Sequence, residues 1–155
     1  METANWIDTL NEVAQQRYGK AEKGLYFGIC VDVGVCNLCS QNMYEYINTL
    51  GGRIQSVILR DGDGNSDNTM LPFTCVNQGI SQTDWLYLIR GLRKIEFKGK
   101  LMIDLADTSL ACPPMLRPKI IQYAKEIAEY FLWQIDMERM LKKYDSRVLF
   151  GAGNM

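Results

Sequence analysis

Apolar residues recur along this chain with two alternating periods, and that alternation predicts its architecture. Trp6, Leu10, Val13 and Ala14 fall at helical spacing, which predicts an amphipathic helix over residues 3–18 with that set as its buried stripe. Gly19 and Gly24 bracket a charged connector. The run Leu25–Val33 is apolar on both faces and ends at Gly34, as a buried strand of a parallel sheet does. Met43, Tyr46, Ile47 and Leu50 return to helical spacing within 42–50, and Gly51-Gly52 supplies the stop. Ile54–Leu59 reads as a second buried strand, followed by a polar stretch from Asp61 to Gln82. Ser81-x-x-Asp84 reads as a capping box that opens a helix whose face is Trp85, Leu88, Ile89 and Leu92. Lys100–Leu105 is the third expected strand. After Pro113-Pro114 and Pro118, one long helix is expected to about Tyr144, with Ile120, Ala124, Ile127, Phe131 and Leu141 at core spacing and Tyr130 and Trp133 widening the face. Helices alternating with two-faced strands predict an α/β fold with a parallel sheet and right-handed crossovers.

The last residues break this rhythm. Arg147–Phe150 followed by Gly-Ala-Gly reads as a short strand entering the glycine-rich turn of a dinucleotide-type fold, with Gly151 and Gly153 as the turn's first two glycines. A tail that merely contains two glycines is the alternative. The expected organisation is therefore 1–114 as one unit, 115–145 as a connecting helix, and 146–155 as the first strand of a truncated Rossmann-like domain.

Composition narrows the chemistry. With 17 basic and 18 acidic side chains the net charge is −1, so no basic surplus argues for nucleic acid or an anionic membrane as partner. There is no histidine, which removes the commonest acid–base residue and metal ligand. No run approaches a membrane span, and Met1–Asp8 lacks the pattern of a secretion signal. Five cysteines under those conditions point to free thiols in a cytoplasmic setting.

From Gly28 to Asp107 the motifs come in a distinctive order. They are Asp32-Val-Gly-Val35, Leu50-Gly-Gly-Arg-Ile54, Val57-Ile-Leu-Arg-Asp61, Asp67-Asn-Thr69, Pro72, Asp84-Trp85 and Lys98-Gly-Lys-Leu-Met-Ile-Asp104. In order and spacing this series resembles the xylose isomerase-like barrel family, whose members include sugar phosphate isomerases and epimerases and endonuclease IV. The resemblance implies a partial (β/α)8 TIM barrel, its last three strands with their helices. A whole barrel takes about 250 residues. The family holds a divalent metal, Mn or Mg, with carboxylates and histidine. By position Asp32 keeps one ligand, Asp104 stands in place of a glutamate, and Val35, Ile58 and Thr69 replace the histidines. Asp32 and Asp104 are thus a residual, weak metal set, and no cofactor is expected to bind tightly.

Strand alternation gives a separate reading. Cys30 and Asp32 share a face, as do Ser56, Ile58 and Arg60, and Met102 and Asp104. With the register that the resemblance implies, these faces point into the barrel. Asp32 and Asp104 then stand at its catalytic end as acid, base or metal groups, with Arg60 between them as a clamp. Arg60 and its neighbour Asp61 are the candidate substrate-binding residues. The alternative is that Arg60 only ties the barrel mouth together by ion pairs. The expected activity is proton transfer next to the carbonyl of a small sugar or sugar phosphate. The rival is a degenerate barrel that serves as a binding or scaffolding module, which the three histidine replacements favour. A nuclease, which needs a histidine-rich metal cluster, fits least.

Two other motifs have local explanations. Asp61–Asp67 imitates a calcium loop, but Ser66 and Pro72 stand where an EF-hand needs glycine and glutamate, so Asx turns at Asp63, Asn65 and Asp67 are expected. Cys36-x-x-Cys39 has zinc or redox spacing without the remaining ligands or context, and reads as two thiols entering a helix. Three strands cannot close a barrel, so open sheet edges are expected, and with them a homo-oligomer or a chain that needs the missing parts of its parent to order fully.

Overall fold

The computed structural model describes residues 2–22, 24–75 and 83–151, with 138–151 described by backbone alone. It is an α/β structure built on three parallel strands, β1 (Ile29–Asp32), β2 (Ile54–Leu59) and β3 (Lys100–Ile103), hydrogen-bonded in chain order. Helix α1 (Glu2–Tyr18) precedes β1. Helices α2 (Val33–Leu38) and α3 (Met43–Leu50) connect β1 to β2, and α4 (Trp85–Lys94) connects β2 to β3. The short α5 (Ala106–Ala111) and the long α6 (Arg117–Gly151) follow.

Register explains which face is buried. Val31, Val57 and Leu101 form one rung, and Leu59 pairs with Ile103 two positions on. These side chains face the helices and join a core with Ile47 and Leu50 of α3, Leu88 and Leu92 of α4, and Ile127 and Phe131 of α6. The intervening rungs, Cys30–Ser56–Lys100 and Asp32–Ile58–Met102, face the other way. No described helix covers them fully: Cys30 and Lys100 are exposed, and Met102 is 41% exposed. Alternation along each strand thus makes one oily face under the helices and one open, mixed face.

Side-chain caps set the helix starts. Asn42 accepts from the Glu45 amide at the head of α3, and Asp84 from the Tyr87 amide at the head of α4. Asp84 is therefore the cap of α4. The Ser81 half of the expected capping box lies outside the described residues.

The structure corrects three expectations. Helix α1 forms, but rotated: Ala4, Asn11 and Ala14 are buried, while Trp6 (64% exposed), Leu10 and Val13 face outward. Asn11 is the reason. Its Oδ1 accepts from the Tyr26 and Phe27 amides at 2.8 and 2.9 Å, and its Nδ2 donates to the Phe27 carbonyl at 2.9 Å. Asp8 adds a two-pronged ion pair with Arg53. The same bonds shorten β1, because the Tyr26 and Phe27 backbone groups are satisfied by a side chain and not by a neighbouring strand. Finally, Val148–Phe150, expected as a strand, lies within α6. A lone strand there would have no ladder partner, whereas a helix satisfies its own backbone. The expected Gly153 turn lies outside the described residues, as does the side chain of Leu141. Among the described residues no helix is long and apolar enough to cross a membrane.

Candidate functional site at the strand ends

The C-terminal ends of β1 and β2 meet at Arg60. It follows Leu59, which points into the core, so alternation sends Arg60 to the open face, yet it is only 6% exposed. Its Nε donates to both oxygens of Asp32, at 2.8 and 3.1 Å. Nη2 donates to Asp67 Oδ1 at 2.7 Å, and Nη1 to the Asn68 carbonyl at 3.1 Å and Thr69 Oγ1 at 3.3 Å. Both carboxylates, Asp32 foremost, make the guanidinium hold its proton more tightly than an ordinary arginine, against the opposing effect of burial. Position 34 must be glycine for this: a Cβ there would stand 2.8 Å from Nε and 2.9 Å from Cγ of Arg60. Asp32 also caps α2 by accepting from the Val35 amide at 3.1 Å. The Asp-x-Gly motif therefore has a local purpose, one residue to hold the guanidinium and one to make room for it.

Arg60 thus sits between Asp32 and Asp67, not between Asp32 and Asp104 as the strand pattern suggests. Asp104 follows β3 and accepts from the Ala106 amide at 2.9 Å. Asp67 was expected to fold back as an Asx turn. Its position at the head of Asp67-Asn-Thr69, opposite a basic strand residue, was the available signal for an ion pair. The Asx turn itself is at Asp63, which accepts from the amides of Asn65 and Ser66 at 2.9 Å each. Those amides, Asn65 first, hold the Asp63 carboxyl below the usual range.

Asp61 is buried beneath the loop. One oxygen accepts from Thr83 Oγ1 at 2.7 Å and from the Gly62 amide at 3.0 Å, and the other from the Cys75 amide at 3.1 Å. Its backbone pairs with Met70. Asp61 therefore organises the loop after β2. Asn68 Oδ1, buried nearby, has no partner among the described residues. Burial pushes the Cys75 thiol up, and the charges of Asp61 and Asp63 push it further.

Both oxygens of Asp32 face a guanidinium, and among the described residues no three metal-ligating side chains cluster. Cys36 and Cys39 are free; burial pushes the Cys36 thiol up to about 11, the opposite of a reactive redox thiol. Beside the Arg60 network lies a cleft of about 530 Å³, lined by Thr69, Thr74, Asp107, Thr108, Cys112 and Ile120 among others. The Thr69 amide donates to Asp107 Oδ2 at 3.2 Å, which joins the β2 loop to α5 across its floor. Comparison with protein-family profiles, curated proteins and solved structures finds no match to this chain.

Proposed function

We propose that the chain is part of a (β/α)8 barrel of the sugar isomerase and epimerase kind and binds a small sugar at its strand ends. One observation carries this reading. Three parallel strands pair in chain order under helices on one face, and the open face leads at one end to Asp32, Arg60 and Asp104. Barrel enzymes keep their chemistry at that end. The adjacent cleft is largely apolar, with threonine hydroxyls and the Asp107 carboxylate as its polar groups, and among the described residues it carries no cation for a phosphate. In this reading Asp32 and Asp104 are the groups that move a proton next to the sugar carbonyl, and Arg60 steadies Asp32. Five free cysteines suit a cytoplasmic setting.

A second reading, a binding or scaffolding module without catalysis, is favoured by the number of Arg60 donors already engaged within the protein. The test incubates the protein with fructose in D₂O and follows deuterium at the carbon next to the carbonyl by NMR. Exchange that Asp104→Asn abolishes supports the catalytic reading. Fructose contacts in saturation-transfer spectra without exchange support the second reading. Neither contact nor exchange, with ribulose and xylulose as well, overturns sugar binding in either reading and leaves only a scaffolding module.

A further inference from the structure

The helix pair α3–α4 carries a concentration of charge that the strand-end site does not use. The two helices approach closely because residue 91 is glycine: a Cβ there would stand 3.0 Å from Cβ and Cγ2 of Ile47. That approach sets Tyr44 of α3 beside Tyr87 of α4, with ring centroids 6.4 Å apart. Lys94 Nζ lies 5.4 Å from the centre of the Tyr44 ring, and Arg90 Cζ lies 5.9 Å from that of Tyr87. With Arg93, these residues line a groove of about 490 Å³.

Among the described residues none of the three cations is in an ion pair. Arg93 donates to the carbonyl and the side-chain oxygen of Gln134, neutral groups that fix its fork without cancelling its charge. The negative end of α4 accounts for Arg93 and Lys94 in its last turn. It does not account for Arg90, a turn earlier, nor for the tyrosines that hold two cations over one groove. Three positive charges without an ion pair among the described residues gather there, on a chain whose net charge is −1.

We propose that this groove binds the phosphate group of a small molecule, with Arg90 and Lys94 donating to its oxygens. Phosphate fits better than a carboxylate because its several strong acceptor oxygens can meet Arg90 and Lys94, one turn apart on α4, at once. The site is separate from the strand ends, and the test keeps the two apart. Calorimetric titration with inorganic pyrophosphate is run on the wild-type chain, on Arg90→Gln/Lys94→Gln, and on Asp107→Asn. The expected result is one site on the wild type, weakened about tenfold or more by the double substitution and by added salt, and unchanged by Asp107→Asn. Circular dichroism checks that the double variant, altered only at exposed positions, keeps its fold. Titration with fructose 6-phosphate distinguishes an organic ester from the inorganic ion; tighter binding of the ester, still lost in the double variant, assigns the groove to phosphorylated metabolites. No binding of pyrophosphate to the wild type, or equal binding by the double variant, overturns the proposal.

Discussion

Replacing Arg60 with methionine removes the guanidinium that joins β1, β2 and the loop after β2, while keeping most of the apolar stem. The cost follows from what each partner does afterwards. Asp32 is 26% exposed and loses a charge-assisted donor shared between both oxygens, worth about 2 kcal/mol in that setting. Asp67 is 70% exposed, so water replaces the lost contact and its share is about 0.5 kcal/mol. The Asn68 carbonyl and Thr69 hydroxyl lose a neutral partner each, together about 0.5–1 kcal/mol after rehydration. The sum is about 3 kcal/mol, large against the total stability of about 5–15 kcal/mol for a domain but not enough to abolish folding. Urea unfolding followed by circular dichroism measures it as a lower midpoint at unchanged slope, a shift of about 1–3 M for ordinary slopes. A cycle with Asp32→Asn should show coupling of about 1.5 kcal/mol or more between the two positions. A loss below about 1 kcal/mol, or strict additivity with Asp32→Asn, refutes the argument that Arg60 is a structural latch.

Gly34→Ala should destabilise the chain through the same latch, since the new methyl displaces Arg60 Nε and Cγ; in an Arg60→Met background the penalty should shrink, and equal penalties would show that the crowding is elsewhere. Cys36 has a folded pKa raised to about 11 against an ordinary 9.0, so its stabilising contribution is complete below about pH 9 and is lost as pH rises towards 11; Cys36→Ala should flatten that part of the pH–stability curve. Exposed Cys30 and Cys39 should be alkylated by iodoacetamide before Cys36 and Cys75, as peptide mapping by mass spectrometry would read. Titration with Mn²⁺ or Mg²⁺ should give no tight binding that depends on Asp32, and submicromolar binding lost in Asp32→Ala would contradict the occupied carboxylate. Light scattering should find a dimer or larger species, because β1 and β3 are edges of the described sheet and its open face carries Met102; a monodisperse monomer would refute this.

Where packing decides, periodicity in the sequence is enough. Ile54–Leu59 is a strand with the bounds its apolar run suggests, and α4 buries the expected Trp85, Leu88, Ile89 and Leu92. Where a single polar side chain decides, periodicity misleads. Asn11 turns α1 away from its own apolar stripe and takes Tyr26 and Phe27 out of β1, effects of hydrogen bonds between residues far apart in sequence. The same holds at the strand ends. Placing Arg60 on the open face needs only alternation, but choosing Asp67 over Asp104 as its second partner depends on how the loop folds back. Asp61, adjacent to Arg60 in sequence, is turned into the loop's interior because its carboxylate collects Gly62, Cys75 and Thr83.

The Asn11 contact also fixes the rotational setting of a whole helix. The hydrogen bonds of Asn11 and the Asp8–Arg53 pair hold Trp6, Leu10 and Val13 outward, while Ala4 and Ala14 pack inward. The angular setting of α1 thus rests on a polar lock together with two small apolar contacts. A change at residue 11 removes the larger part of that lock and should loosen the setting. Trp6, 64% exposed, is the natural reporter of such a turn, since its fluorescence shifts to the blue when the indole leaves water.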